Sequence, residues 1–423
     1  MNALVAPLSS PQAADARRFG PKAANLAALG QAGLPVPGGF CLDAKAYRMQ
    51  IAALGLEAAA RGVFAAGDRS QARRHALDMK LGLMDRPVIP AILEPLLEAW
   101  RKVTEKDAPG VVRSSALVED RAGSSFAGQF ETYLGLDNET DLLTAVRACW
   151  AALWSTRALR YMATHDLDPA DTAMALILQP LIAARAAGGG LSRTADGEML
   201  INAAPGPGAA IAQGEVVPDR YLLDRAGTIR ESALGRKYHA VGCAHRKQSL
   251  SRAIFSTPCL DREQVAELGL FLLKAEELIG APVEIEWALD DTGIKLLQAR
   301  PLRMEPAKAP DEIWSNHPRL NGHPAGIGWG TGRARVVNCE CELGRVAPGE
   351  VLVTTVAGPA LGEILPRVAG VVAELGGSTS HLASLARERG VPMVLGVHDA
   401  TRRIPEGSMV AVDGVAGIVR WMQ

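Results

Sequence analysis

The sequence predicts a multidomain protein of mixed α+β and α/β class, with a large first module and a small β/α domain behind it. Three observations lead there. Helical periodicity and short β-runs alternate over roughly the first 300 residues. A proline-rich, charged stretch from Pro301 to Pro310 then interrupts the pattern. Beyond it, about 100 residues carry short β-runs around one helix. A chain of 423 residues with 48% hydrophobic content has apolar material for about two to four buried cores.

Taken in order, Gly20-Pro21 introduces an Ala/Leu-rich helix reaching Leu29, and the glycines and prolines from Gly33 to Gly39 end it. Helical spacing resumes from Asp43 to about Thr104 with interruptions, and Val111 to Arg113 open a strand. The glycines and serines from Gly123 to Gly128 read as a connector to a strand at Phe130 to Leu134. Asp141 to Tyr161 reads as one long helix, Ala173 to Gln179 as a strand, and Ala203 to Gln213 as a loop. A helix over 262–279 leads into a hairpin from Val283 to Ala299, whose turn Asp291-Thr292-Gly293 is expected to have three residues. In the last segment, strands are expected at 350–354, 370–374 and 409–412, and a helix at 382–389.

The 45 basic and 46 acidic residues leave a formal charge of -1, without the basic stripe that nucleic acid requires. No basic-then-apolar leader opens the chain, and no apolar run is long enough to span a bilayer. The cysteines Cys41, Cys149, Cys243, Cys259, Cys339 and Cys341 are scattered, and a lone C-x-C does not make a zinc site. A cytoplasmic, reduced protein is expected, acting on small molecules or a protein partner.

The sharpest signal runs from Gly376-Gly377-Ser378-Thr379-Ser380-His381 through Leu382-Ala383-Ser384-Leu385-Ala386-Arg387-Glu388-Arg389-Gly390-Val391-Pro392. A β-run ends, two glycines turn the chain, and a helix starts near His381, with Leu382, Leu385 and Ala386 as its apolar face. That places an imidazole, a competent nucleophile, beside the N–H groups and positive dipole end of a helix, which favour a phosphoryl group. A lone histidine in a tight turn is ordinarily structural. Here the whole segment resembles the phosphohistidine motif of the phosphoenolpyruvate-utilising enzymes, the family of pyruvate phosphate dikinase, phosphoenolpyruvate synthase and rifampin phosphotransferase. Leu382 stands where that family usually has a small residue.

The earlier blocks resemble the same family's ATP-grasp-like nucleotide module. Phe19 to Leu26 followed by Gly33 to Phe40 is similar to its opening motif, with Lys22 in a first helical turn where only a nearby anion would suit a cation. Val112-Arg113-Ser114-Ser115-Ala116 and Ser125 to Leu134 are similar to a second block. A Gly/Ser connector folds N–H groups over polyphosphate, and the Arg113 guanidinium suits phosphate oxygens. The resemblance implies ATP contacts from Lys22, Arg113, Gly128 and Thr132, and adenine contacts from the segment holding Gln179 and Leu181, where Pro180 lacks one N–H donor. A block from Gly206 to Tyr221 matches only in part, with Ala209 in place of a carboxylate.

The three-residue hairpin would oppose Glu286 to Gln298 and Glu284 to Arg300 on one face. Oxygen donors there suit a hard cation such as Mg2+, and Arg300 could neutralise charge in phosphoryl transfer; an exposed polar face with ion pairs is the plainer reading. The family uses the equivalent Glu and Gln as metal ligands, and the resemblance favours Glu286 and Gln298 for that role.

It covers 1–303 as the nucleotide module, 304–319 as linker and 320–423 as a swivelling phosphohistidine domain. The implied activity is an ATP-dependent, dikinase-type phosphotransferase in which His381, with Lys22, Arg113 and Arg300, takes a phosphoryl group from ATP and passes it on, releasing AMP and phosphate. The acceptor is expected to be a small molecule, or to sit on a separate subunit, since no segment reads as the substrate barrel of the dikinases. A phosphocarrier subunit of a multi-protein kinase, or a weakened nucleotide-binding regulator, are the alternatives.

Overall fold

The computed structural model describes residues 4–105, 108–119, 126, 129–130, 132–237, 257–303, 314 and 316–422. Gly128, Cys243, most of the 123–128 connector and most of the 304–319 linker lie outside them. The chain divides into two compact units, residues 1–182 with 296–299, and residues 183–295 with 300–423.

In the first unit five strands pair in the order Val5–Pro7, Phe40–Leu42, Met174–Pro180, Gly110–Ala116 and Thr132–Leu136, all antiparallel. The two innermost, Met174–Pro180 and Gly110–Ala116, are buried almost end to end, and apart from Arg113 and Gln179 they are made of apolar and small residues. Helices Ala44–Ala53, Glu57–Ala65, Arg69–Asp85 and Pro90–Val103 fill the interrupted helical stretch read from the sequence.

The expected single helix from Asp141 to Tyr161 is two, Glu139–Ala152 and Thr156–Thr164. Ser155 breaks it: its backbone is extended, and its hydroxyl accepts from the Ala158 amide at 3.2 Å as an N-cap. The first strand after the connector is Thr132–Leu136, two residues later than expected.

Helix Ala16–Gln31 bends at Gly20, where φ is +78°. A Cβ there would fall 2.5 Å from the Ser115 carbonyl oxygen, so only glycine allows this approach. Pro21 restarts the helix, and the Ser115 hydroxyl accepts from the Ala23 amide at 3.2 Å.

The second unit contains two sheets. One has six strands in the order Gly293–Pro301, Val283–Asp290, Ala186–Leu191, Met199–Pro205, Asp219–Leu223 and Ile229–Ala233, with residues Leu296–Ala299 of the first strand counted in the first unit. Strand Met199–Pro205 and a helical turn at Ala209–Ala212 occupy much of what reads as a loop in the sequence. Helix Arg262–Ile279 starts with a capping box, Asp261 accepting from the Gln264 amide while Gln264 accepts from the Asp261 amide, and stops at left-handed Gly280.

The other sheet has eight strands, and its centre is parallel: Trp329–Val337, Val351–Thr354, Gly370–Ala373 and Met393–Leu395 pair in that order. Parallel neighbours need a crossover, and helix His381–Arg389 supplies it between Gly370–Ala373 and Met393–Leu395. The loop before the helix therefore leaves the carboxyl end of a parallel strand, where open α/β sheets place their ligands.

An ion pair lies wholly inside this unit. Asp219 and Lys237 meet at 2.7 Å with both side chains fully buried, and Asp219 also accepts from the amides of Gly235 and Cys259. Removing the ammonium would strand a buried carboxylate. Lys237→Met should therefore cost about 3–5 kcal/mol in urea unfolding, whereas a loss under about 1 kcal/mol would mean that the pair is dispensable.

Candidate active site

His381 is the first residue of its helix and is half-buried. Ser380 caps the helix, its hydroxyl accepting from the Ala383 amide at 3.2 Å. Gly376 has φ +100°, which lets the strand end turn sharply into the motif. The glycines also permit contact with the neighbouring six-stranded sheet of the same unit. A Cβ on Gly377 would meet the Pro218 ring at 2.7 Å, and one on Gly189 would meet Thr379 Cβ at 2.6 Å. Thr379 Oγ1 accepts from Asn202 Nδ2 at 3.3 Å. Gly189 is paired across the ladder with Glu286, so the loop two residues before His381 packs onto the strand pair that carries Glu286.

The helix itself differs from the one-faced reading of its sequence. Leu382 to Glu388 are all buried, polar residues included. Ser384 and Arg387 are buried because they meet Glu284. The Ser384 hydroxyl lies 2.9 and 3.0 Å from the two Glu284 oxygens, and Arg387 donates to Glu284 at 3.0 Å and to the Ser378 carbonyl at 2.6 Å. Arg300 completes the group, donating to Glu284 at 3.1 Å and to Ser384 at 2.7 Å. Burial pushes the Glu284 carboxyl upward, but Arg300, Arg387 and the Ser384 hydrogen bond outweigh it and hold the group below its ordinary value. Glu284 and Arg300 do meet, but the turn is Asp291-Thr292, with the Asp290 side chain accepting from the Thr292 amide at 2.8 Å, so the three-residue turn from which Glu286 was expected to oppose Gln298 is not the one formed.

In the first unit, the two sequence blocks come together. Lys22 Nζ donates to the Ser114 carbonyl at 3.0 Å and pairs with Glu119 at 3.3 Å, so the anion beside this lysine is a buried carboxylate. Arg113 is buried, and donates to the Leu297 carbonyl and, at 3.1 Å, to Gln298 Oε1. Thr132 is the ladder partner of Arg113. Gln179 is buried and donates to the Pro37 carbonyl at 3.1 Å, while the Leu181 amide donates to the Pro109 carbonyl at 2.8 Å. Sequence reasoning did not assign roles to Glu119, Asn202, Thr379, Ser384 or Arg387. For the last two, the signal was present: polar residues three and six positions after His381, among or directly after the Leu and Ala residues of 382–386.

As a donor set for a cation, Glu286 and Gln298 offer the hard oxygens that Mg2+ prefers, and such an ion takes its other ligands from phosphates and water. The fit is one of donor chemistry: Glu286 belongs to the second unit and Gln298 to the first, where its Oε1 accepts from Arg113. Among the described residues, no group of three or more His, Cys, Asp or Glu is placed to hold a metal, and no helix is long and apolar enough to cross a membrane.

A histidine that opens a helix behind a parallel strand, together with a unit in which Lys22 meets Glu119 and Arg113 meets Gln298, sets the class as a multidomain α/β protein. Residues 16–319 match the pyruvate phosphate dikinase AMP/ATP-binding domain, and residues 346–417 match the mobile domain of PEP-utilising enzymes. The chain belongs to the pyruvate phosphate dikinase and phosphoenolpyruvate-utilising family, and its α/β multidomain class is the one read from the sequence. Among curated relatives, the probable phosphoenolpyruvate synthase of Methanothermobacter thermautotrophicus is 29% identical over 415 residues, covering 95% of this chain and 61% of the relative. That of Pyrococcus horikoshii is 31% identical over 467 residues, covering 96% and 56%. The phosphoenolpyruvate synthase of Escherichia coli K12 is 30% identical over 444 residues, covering 95% and 55%. The chain thus spans between about half and three fifths of the length of these relatives.

The depressed carboxyl of Glu284 makes a pH prediction. Its stabilising contribution is complete above the ordinary value of 4.5 and is lost as pH falls through the lower folded value. Urea unfolding of the wild type should weaken as pH drops below 4.5. Glu284→Gln should be less stable at neutral pH by about 3–5 kcal/mol and should lack that part of the acid dependence. Parallel pH profiles for the two proteins would exclude Glu284 as the titrating group.

Proposed function

We propose that this chain is an ATP-dependent phosphotransferase of the dikinase type, with His381 as the residue that carries the phosphoryl group. The observation that carries the reading is the placement of His381 at a helix N-terminus after a parallel strand, in a loop packed against the partner strand of Glu286. Backbone N–H groups there stabilise an attached phosphoryl group.

An imidazole nitrogen of His381 attacks the β-phosphorus of ATP. The N–P bond forms, the P–O bond to the α-phosphate breaks, AMP leaves with the bonding pair, and the imidazole proton passes to solvent. Water then attacks the terminal phosphorus, releasing phosphate and leaving phosphohistidine. Finally an acceptor oxygen takes the phosphoryl group as the N–P bond breaks. Carrying the group on a mobile domain lets one histidine serve two sites. The names of the relatives point to pyruvate, as its enol, for the acceptor.

The residues divide this work. Lys22, Arg113, Thr132 and Gly128 hold the phosphates, with Lys22 and Arg113 turning to them from Glu119 and Gln298. The backbone of the segment holding Gln179 and Leu181 meets the adenine, and Arg300 offsets charge that builds on the transferring group. Glu286 and Gln298 would hold Mg2+, which supplies charge neutralisation on the phosphates when bound.

ATP labelled at the β-phosphate should label the wild type on an acid-labile, base-stable site and leave His381→Ala unlabelled. Equal labelling of the two proteins would refute the assignment of His381. Glu286→Ala should keep the fold and lose Mg2+-dependent labelling by on the order of a hundredfold or more in rate. A rate within about threefold of wild type, by rapid quench, would move the metal elsewhere.

A further inference from the structure

Helix His381–Arg389 carries a second polar group besides its histidine. Ser384 and Arg387 follow His381 by three and six residues, about one and two turns along the helix. Both are buried, with 7% and 6% exposure, and a buried guanidinium is tolerated only where it is paired and hydrogen-bonded. Their shared partner is Glu284, more than 100 residues away in sequence for Arg387, on strand Val283–Asp290.

The four groups satisfy one another closely. A serine hydroxyl has one proton and two lone pairs. The Ser384 proton points to Glu284, while Arg300 and Arg387 donate to its oxygen at 2.7 and 3.1 Å. Arg387 reaches back with its other nitrogen to the Ser378 carbonyl, inside the His381 loop. Rotating the helix by one residue, about 100°, or sliding it by one turn would break the contacts with Glu284 together.

Glu284 also stands two residues before Glu286, and residues two apart on a strand share a face. Whatever grips Glu284 therefore sets where the His381 helix lies along the strand that bears Glu286. Two guanidinium groups serve this one carboxylate, so Arg300 can turn to a phosphate while Arg387 still compensates Glu284.

We propose that Ser384 and Arg387 are positioning residues for phosphoryl transfer to His381, fixing the rotation and height of its helix through Glu284. The inference rests on the proposed phosphotransfer and extends it to two residues that need not touch nucleotide. A misplacement of about 1 Å in such a reaction costs on the order of a hundredfold in rate.

The test compares two donors. Labelled ATP requires the His381 helix to be held in register, whereas phosphoramidate, a small donor, phosphorylates an accessible histidine without that register. Ser384→Ala should slow labelling from ATP by about tenfold and Arg387→Met by on the order of a hundredfold, with Arg387→Lys recovering part of the loss. ATP dissociation constants, and labelling of His381 by phosphoramidate, should stay within about twofold of wild type, which also shows that the variants are folded. ATP labelling within about threefold of wild type in both Ser384→Ala and Arg387→Met would overturn the positioning role. So would an equal loss with both donors, which would place the residues at the histidine itself or in the fold. A wild-type chain that takes no label from ATP while accepting it from phosphoramidate would instead remove the phosphotransfer reading, and the positioning role with it.

Discussion

A carboxylate taken out of water must find positive charge and hydrogen bonds or it will not remain ionised. Glu284 meets that condition with Arg300, Arg387 and Ser384, and the arrangement binds strand Val283–Asp290 to the helix that begins at His381. None of the four could be placed alone. The serine needs the carboxylate as acceptor, the carboxylate needs both arginines, and Arg387 also spans to the Ser378 carbonyl in the loop before the histidine. The position of His381 within its unit is therefore a consequence of buried charge compensation as much as of apolar packing.

Missing side chains matter as much as present ones. Gly189 lets Thr379 lie against the strand opposite Glu286, and Gly20 lets a helix restart directly on Ser115. In both places a Cβ would fall less than 3 Å from a neighbouring atom. The first contact brings the histidine loop to a sheet, and the second brings Lys22 to Ser114 and Glu119. Each joins segments distant in sequence by close backbone approach, which is how both polar clusters come to be lined by rigid elements rather than by loop tips.

Elements with strong local signals were legible in the sequence. Helix Arg262–Ile279 has its capping box at Asp261 and Gln264 and its stop at Gly280, and it runs as expected. The hairpin that follows was equally plain, while its turn was one residue shorter than expected because the Asp290 side chain closes it on Thr292. The long helix over 141–161 failed because apolar periodicity continues through Ser155, and only the cap geometry reveals the break. Strand Met199–Pro205 extends into a Gly/Pro/Ala-rich stretch because its ladder with Ala186–Leu191 runs to Pro205, overriding composition.

By itself the sequence determined the family and the crossover helix that begins at His381, since glycines, a cap and an imidazole at fixed spacing are local chemistry. Tertiary structure decided which charges meet. Lys22 could be read as a phosphate ligand, but its pairing with Glu119 follows from a strand laid across its helix. Ser384 and Arg387 could be read as the polar side of a surface helix, yet they are buried. The physical reason is that a charged side chain's partner is chosen by distance in space, and Glu284 reaches Arg387 across 103 residues of chain only once the sheets are in place.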